Sequence, residues 1–265
     1  MNYIKFFGFT GIPFHKSNTN IWVNRQVSEL EDKFRRMIEV PGVALLVGDP
    51  GNGKTMLMKH VMAKVKNPRL RYFYICETDF TRNEFYLILA DKLGVDTASK
   101  RSVVWKNLKK HILYMSETQS ITPIIIVDEA HNLPDNVFRD LPSFLNFNID
   151  SKDPMVLWLL GTPQLSRKLH TPSQLPLNSR IRLWQTISGI ENLDDFKAFI
   201  EDGFAQVGCS GKIITDSGIS LLFEITKGNP RLVSNAIINA LQKSAQKKYK
   251  HLPDEIIEAA IHECS

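Results

Sequence analysis

The sequence predicts an α/β fold, a parallel sheet flanked by helices around a phosphate-binding loop, followed by a small all-helical domain. Three observations predict it. The apolar run Val43-Ala44-Leu45-Leu46-Val47 stops at Gly48 and passes through Asp49-Pro50-Gly51-Asn52-Gly53 into Lys54-Thr55-Met56, where a helical pattern begins. That is strand, glycine loop and helix in the order a Gly-x-x-x-x-Gly-Lys-Thr P-loop requires. Next, Ile124-Ile125-Ile126-Val127 and Met155-Val156-Leu157-Trp158-Leu159-Leu160 are unbroken apolar runs, the pattern of parallel strands buried on both faces. Finally, the region after about Gly189 carries helical patterns and no strand signal, so a domain boundary is expected there.

The chemistry of the loop dictates its residue types. Gly48, Gly51 and Gly53 let the backbone wrap closely enough for its N–H groups to face phosphate oxygens. The helix that follows adds the partial positive charge of its N-terminus. Lys54 is expected to reach the β- and γ-phosphates and Thr55 to ligate Mg²⁺, with Asp49, Pro50, Asn52 and Met56 completing the nucleotide cradle.

Taken in order, Met1 to Asn20 carries the rings Tyr3, Phe6, Phe7, Phe9 and Phe14. Gly8, Gly11 and Pro13 argue against a helix there, so a strap packed on the domain that follows is expected. An amphipathic helix is expected over Val27–Val40, closed by Pro41-Gly42, and the P-loop helix should end near Lys66 before Asn67-Pro68. Tyr72-Phe73-Tyr74-Ile75-Cys76 reads as a strand, Glu84–Leu93 and Val103–Ser116 as helices.

The third strand ends in Asp128-Glu129, at the carboxyl end where α/β sheets place their ligands. Asp128 suits the Mg²⁺ held by Thr55, directly or through water. Glu129 suits the group that orients or deprotonates the attacking water. The competing reading, that Asp128-Glu129-Ala130-His131 only caps a helix, loses force beside a complete P-loop. Asn132–Asn146 reads as helix. The strand ending at Leu160 leads to Gly161-Thr162, and Thr162 either positions water near the γ-phosphate or caps the next helix. Leu177–Trp184 is short and holds Arg180 and Arg182, whose default is solvated surface. Helices follow over Gly189–Val207, Ile219–Thr226 behind Thr215-Asp216-Ser217-Gly218, Leu232–Lys247 behind Gly228-Asn229-Pro230-Arg231, and from Pro253 to Glu263. The expected division is an aromatic strap over 1–26, the α/β domain over 27–188 and the helical domain over 189–265.

With 265 residues, 43% of them hydrophobic and 23% charged, the composition is that of an ordinary soluble globular protein. No apolar run approaches the ~20 residues of a membrane span, and the N-terminus lacks a signal-peptide pattern. Cys76, Cys209 and Cys264 are scattered, which indicates neither a disulfide framework nor a zinc site and fits the cytoplasm. A net charge of +5 is compatible with nucleic-acid contact without arguing for it.

These motifs together resemble AAA+ ATPases of the branch that contains ExeA and the transposition regulators TniB, TnsC and MuB. The resemblance rests on Tyr3-Ile4-Lys5-Phe6-Phe7-Gly8-Phe9 with Pro13-Phe14, Gly48–Thr55 as Walker A, and Ile124–Glu129 as Walker B continuing Ala130-His131-Asn132-Leu133. Leu159-Leu160-Gly161-Thr162-Pro163-Gln164-Leu165 resembles the sensor 1 segment, although the polar position varies among members. It implies a five-stranded parallel sheet and an all-α lid. It further implies that Arg180, with Arg182 as competitor, is an arginine finger acting on a neighbour's nucleotide. Arg231 is implied as the sensor 2 arginine acting within its own subunit. Homo-oligomers, as hexameric rings or helical filaments, follow from the same likeness.

The function that resemblance implies first is an ATP- and Mg²⁺-dependent DNA transposition regulator. It would assemble on double-stranded DNA, recruit a transposase and a TniQ-like target-selection protein, and come apart on hydrolysis. Loops carrying Thr81-Arg82-Asn83 and Ser99-Lys100-Arg101 are the DNA-facing candidates, through Thr81, Arg82, Lys100 and Arg101. Contacts of that kind go to phosphates and weaken steeply with salt. The alternatives are an ExeA-like secretion-associated ATPase and a signalling or initiator ATPase. The expectation ranks them lower because the chain ends at Ser265 without a membrane span or effector domain, and no membrane partner is expected.

Overall fold

The computed structural model describes residues 2–15, 21–77, 80–149, 151–209 and 211–263; Cys264 and residues 16–20 of the expected strap lie outside them. The order is α1 (Tyr3–Phe7), α2 (Arg25–Glu39), β1 (Val43–Gly48), α3 (Lys54–Lys64), β2 (Leu70–Ile75), α4 (Arg82–Leu93) and α5 (Arg101–Leu113). Then come β3 (Thr122–Val127), α6 (Asp135–Leu145), β4 (Val156–Gly161), α7 (Pro163–Leu169), α8 (Leu175–Asn178) and β5 (Ile181–Ile187). The chain closes with α9 (Leu193–Ala205), α10 (Asp216–Thr226), α11 (Pro230–Gln246) and α12 (Asp254–His262). It divides into two compact units.

One unit, Arg25–Asp49 with Leu57–Ile187, holds the sheet. All five strands are parallel, in the order β2-β3-β4-β1-β5, so the P-loop fold expected of the sequence is present. Side chains alternate between faces. Leu45, Val47, Ile125, Val127, Leu157 and Leu159 join the core formed with α4 to α8. Ala44, Leu46, Ile124, Ile126, Trp158 and Leu160 face the core that includes Phe34 of α2 and Met58 and Val61 of α3. Trp158, fully buried, stacks on Phe34 with ring centroids 5.6 Å apart. A buried side chain of this size contributes about 1.5–3 kcal/mol or more.

β5 was not expected as a strand from its own residues. It is an edge strand in which Arg182 and Thr186 are exposed and Gln185 is buried, so it lacks the unbroken apolar run of its neighbours.

The other unit comprises Met1–Asn24, Pro50–Met56 and Ser188–Ser265. Helices α9, α10 and α11 start at side-chain caps, Asn192, Thr215 and Asn229 in turn, each satisfying backbone N–H groups that the first turn leaves open. Thr215 and Ser217 also donate to Asp254, tying the starts of α10 and α12. The N-terminal segment departs from expectation twice. Tyr3–Phe7 is a short helix, capped by Asn2 and closed by Gly8. The partners found for its rings are the C-terminal helices, not the domain next in sequence: Phe9 meets Phe204, and Phe14 meets Phe199 and Phe204.

Candidate nucleotide site

Gly48 ends β1, Asp49 to Gly53 make the turn, and Lys54, Thr55 and Met56 open α3. Gly51 (φ +92) and Gly53 (φ +84) both adopt backbone that only glycine enters without strain. A Cβ on Gly51 would stand 2.5 Å from Asn229 Oδ1 and 2.9 Å from Arg231 Cβ. The cradle is therefore shaped for backbone N–H groups and not for side chains, as phosphate binding requires. Lys54 and Asn52 are 6% and 7% exposed. Asn229 joins this loop to the start of α11: its Nδ2 donates to Pro50 O at 2.9 Å and to Asn52 Oδ1 at 3.1 Å. Its Oδ1 accepts from the Arg231 and Leu232 amides at 3.1 and 3.3 Å. Arg231 thus lies beside the phosphate-binding loop, in the first turn of its helix.

In the sheet unit, the carboxyl ends of β1, β3 and β4 carry Gly48, Asp128 and Thr162 side by side along one edge. The Asp128 amide continues the ladder, donating to Ile75 O at 2.8 Å. Its carboxylate accepts from Tyr74 Oη on β2 and from the Glu129 amide. Thr55 and Asp128 supply oxygen donors, the ligand type Mg²⁺ takes. Among the described residues no cluster of three His, Cys, Asp or Glu side chains forms a separate metal cage.

Glu129 sits in left-handed backbone at φ 52, ψ 33. Such a conformation in a residue with a Cβ costs roughly 1–2 kcal/mol and is characteristic of functional turns. It breaks the chain out of β3 into one 3₁₀ turn, Ala130–Asn132, so the carboxylate does not act as a helix cap. α6 starts later, at Asp135 and not at Asn132. His131, whose side chain is 14% exposed, has Nδ1 3.4 Å from Glu129 Oε2 and 3.5 Å from the Thr162 amide that donates to it. Thr162 occupies the N-cap position of α7 but makes no capping bond. Its buried Oγ1 hydrogen-bonds to nothing among the described residues. Of its two expected roles, capping is the one it does not perform.

Arg180 and Arg182 lie at the opposite edge. Ile181 pairs with Val43 at the amino end of β1, while Ile187 pairs with Gly48. Six residues at about 3.3 Å each put Arg180 roughly 20 Å from the start of its own phosphate loop. Arg182 donates to Asp153 at 2.5 Å and packs over Gly42. Arg180 lines a cavity of about 230 Å³ with Ser179, Phe147 and Met155.

The residues expected to face DNA carry structural duties. Thr81 and Glu84 form a capping box at the start of α4. Arg82 and Arg101 both donate to the buried Asp140 of α6, Arg82 through Nε at 2.5 Å and Arg101 through Nη1 at 2.5 Å. Arg101 also covers the Trp105 ring, 5.1 Å from its centroid. Lys100 is exposed at the start of α5. No residue spacing announces Asp140 as a partner of both arginines. Tyr74, His131 and Asn229 were likewise not singled out by sequence. A signal existed for two of them: Tyr74 falls one pleat from the carboxyl end of β2, and Asn229 precedes Pro230 at a helix start.

Among curated proteins, the chain is 23% identical over 254 residues to general secretion pathway protein A of Aeromonas hydrophila, covering 92% of this chain and 46% of that protein. It therefore spans less than half the length of that relative, and the end of the chain at Ser265 does not discriminate against it. Among solved structures, Cdc6p from Pyrobaculum aerophilum superposes with a TM-score of 0.70 at 15% identity, over 98% of this chain and 71% of that one. The Aeropyrum pernix ORC1 protein in complex with DNA gives 0.69 at 14%, over 94% and 68%. These likenesses concern the fold. No helix among the described residues is long and apolar enough to cross a membrane. With residues 37–169, half of the chain, matching the family model described as AAA domain, the chain belongs to the AAA family of ATPases.

Proposed function

We propose that this chain hydrolyses ATP at a site completed by a second copy of itself, as the ATPase part of an ExeA-like, secretion-associated machine. The observation that carries the shared site is the polarity of β5. Arg180 stands at the amino edge of the sheet, beyond side-chain reach of the phosphate loop at the other edge, so its guanidinium serves a neighbour's nucleotide. Arg182, which donates to Asp153, is the nearby competitor.

In this reading the loop amides and Lys54 hold the β- and γ-phosphates, and Arg231 reaches them from the lid. Thr55 and Asp128 would hold Mg²⁺, which would neutralise charge on the phosphates. Glu129 accepts a proton from water as the water oxygen bonds to the γ-phosphorus. The bond to the bridging oxygen breaks, and its electron pair leaves with ADP. Thr162 Oγ1 orients that water. Arg180 stabilises the charge spread over the transferring phosphoryl group, which makes hydrolysis depend on assembly.

The curated relative supports the secretion-associated role above the DNA-transposition role that the motifs ranked first. Transposition remains the second reading, favoured by fold neighbours solved with DNA and compatible with the +5 charge. A transposase and a TniQ-like protein would then be the partners. Arg82 and Arg101 each hold a bond to Asp140 in that case too, so Lys100 is the cleaner phosphate contact.

The test is hydrolysis and particle size with Mg²⁺-ATP, with and without duplex DNA. Assembly and hydrolysis that rise together support the shared site. DNA stimulation that fades between 50 and 200 mM salt, with a slope near the number of phosphates contacted, moves the second reading to first. Arg180→Ala should keep nucleotide affinity and lower the assembled rate on the order of 10³-fold. Undiminished hydrolysis by strictly monomeric protein would overturn the shared site.

A further inference from the structure

We propose that Asn229 is a positioning residue that fixes the phosphate-binding loop to the lid helix, and that nucleotide affinity depends on this one side-chain amide. The inference rests on the ATP-binding reading above and adds a residue to which no phosphate contact is assigned.

A carboxamide offers two N–H donors and an oxygen with two lone pairs. Asn229 engages both ends. The nitrogen donates to Pro50 O and Asn52 Oδ1, and the oxygen accepts from the amides of Arg231 and Leu232. The partners of the nitrogen lie 179 and 177 residues away in the chain, whereas those of the oxygen belong to the helix that Asn229 itself caps. One planar group therefore sets two things at once.

The bond to Pro50 O matters beyond its own strength. In a trans peptide the carbonyl and the next residue's N–H share a plane and point in opposite directions. Holding Pro50 O fixes the direction of the Gly51 N–H, one of the donors the loop offers to phosphate. Gly51 is the residue with φ +92 whose missing Cβ leaves room for Asn229. The second bond holds Asn52, which is nearly buried. Through its oxygen the same amide references Arg231 to the loop. A binding site whose donors are already aimed does not spend ligand affinity on ordering them.

The cap and the clasp can be separated by substitution. Serine is as good an N-cap as asparagine, but its short side chain cannot span to Pro50 and Asn52. Alanine removes both functions. In full-length protein, the dissociation constant of a fluorescent ADP and of a slowly hydrolysed ATP analogue is measured for the parent, Asn229→Ser and Asn229→Ala, with melting temperature alongside. The amide exchange of residues 51–56 is followed without nucleotide.

The expected result is an affinity about tenfold weaker in both variants, faster exchange of residues 51–56 in both, and a lower melting temperature only for Asn229→Ala. Affinity and loop exchange unchanged in Asn229→Ser, with loss confined to Asn229→Ala, would assign the residue to capping alone and overturn the proposal. Parent protein that binds neither nucleotide would bring down the ATP reading itself. The exchange of residues 51–56 would still report whether the clasp exists.

Discussion

The loop corner and the Walker B corner are built to different tolerances. At Gly48–Met56 the backbone is held by glycine conformations and by an amide with four partners at 2.9–3.3 Å. Lys54 and Asn52 are nearly buried. At Asp128–His131 the metal-side carboxylate is fixed by Tyr74 and by the Glu129 amide. The carboxylate that would accept the proton is not fixed in the same way. Glu129 is 48% exposed on left-handed backbone, and its histidine partner stands off at 3.4 Å. In the proposed reading, the half that grips is set in advance, while the half that cuts is left to be adjusted. Under the proposed reading, in which the site waits for a neighbour's arginine, that asymmetry would let binding precede assembly while hydrolysis follows it.

If the division is real, substitutions sort by which constant they change. Glu129→Gln should lower kcat on the order of 10³-fold, within the range of a positioned general base, and leave the ATP dissociation constant within about threefold. Hydrolysis at the parent rate would remove Glu129 from its role. Lys54→Ala should weaken binding by roughly 100-fold, equivalent to about 3 kcal/mol; a pure kcat defect seen by calorimetry and steady-state kinetics would erase the comparison. His131→Ala should cost kcat about tenfold with affinity unchanged, as fits the loss of a long, orienting contact. His131→Asn, which keeps a polar atom near Nδ1, should recover most of it. Equal losses of affinity in the His131 variants would mean that the cutting half also grips.

Legibility in the sequence followed locality. Gly48–Thr55 and Ile124–Glu129 were readable because phosphate and metal chemistry restrict residue types at fixed spacing. β3 and β4 were readable because both of their faces are buried. β5 was not, since an edge strand carrying Arg182, Gln185 and Thr186 has no such run, and its presence followed only from the family resemblance. The five-residue α1 was hidden by the glycine that ends it. Arg82 and Arg101 read as DNA-facing candidates because their partner, Asp140, lies mid-helix 58 and 39 residues away. Asp140 holds two cations at once, so removing it would strand charge in a partly buried setting. Asn229 was visible as the start of a helix, but its grip on Pro50 exists only in three dimensions.

The polarity of β5 has a consequence for mixtures. If the phosphate loop receives at one edge of the sheet and Arg180 gives at the other, every copy has a donating and an accepting end. Two different defects then need not coincide. A Glu129→Gln copy still donates its arginine, and an Arg180→Ala copy still carries an intact loop and base. Each preparation alone should be nearly inert. Combined in equal amounts, they should regain activity at the junctions where the first stands on the donating side of the second, about a quarter of junctions if mixing is random.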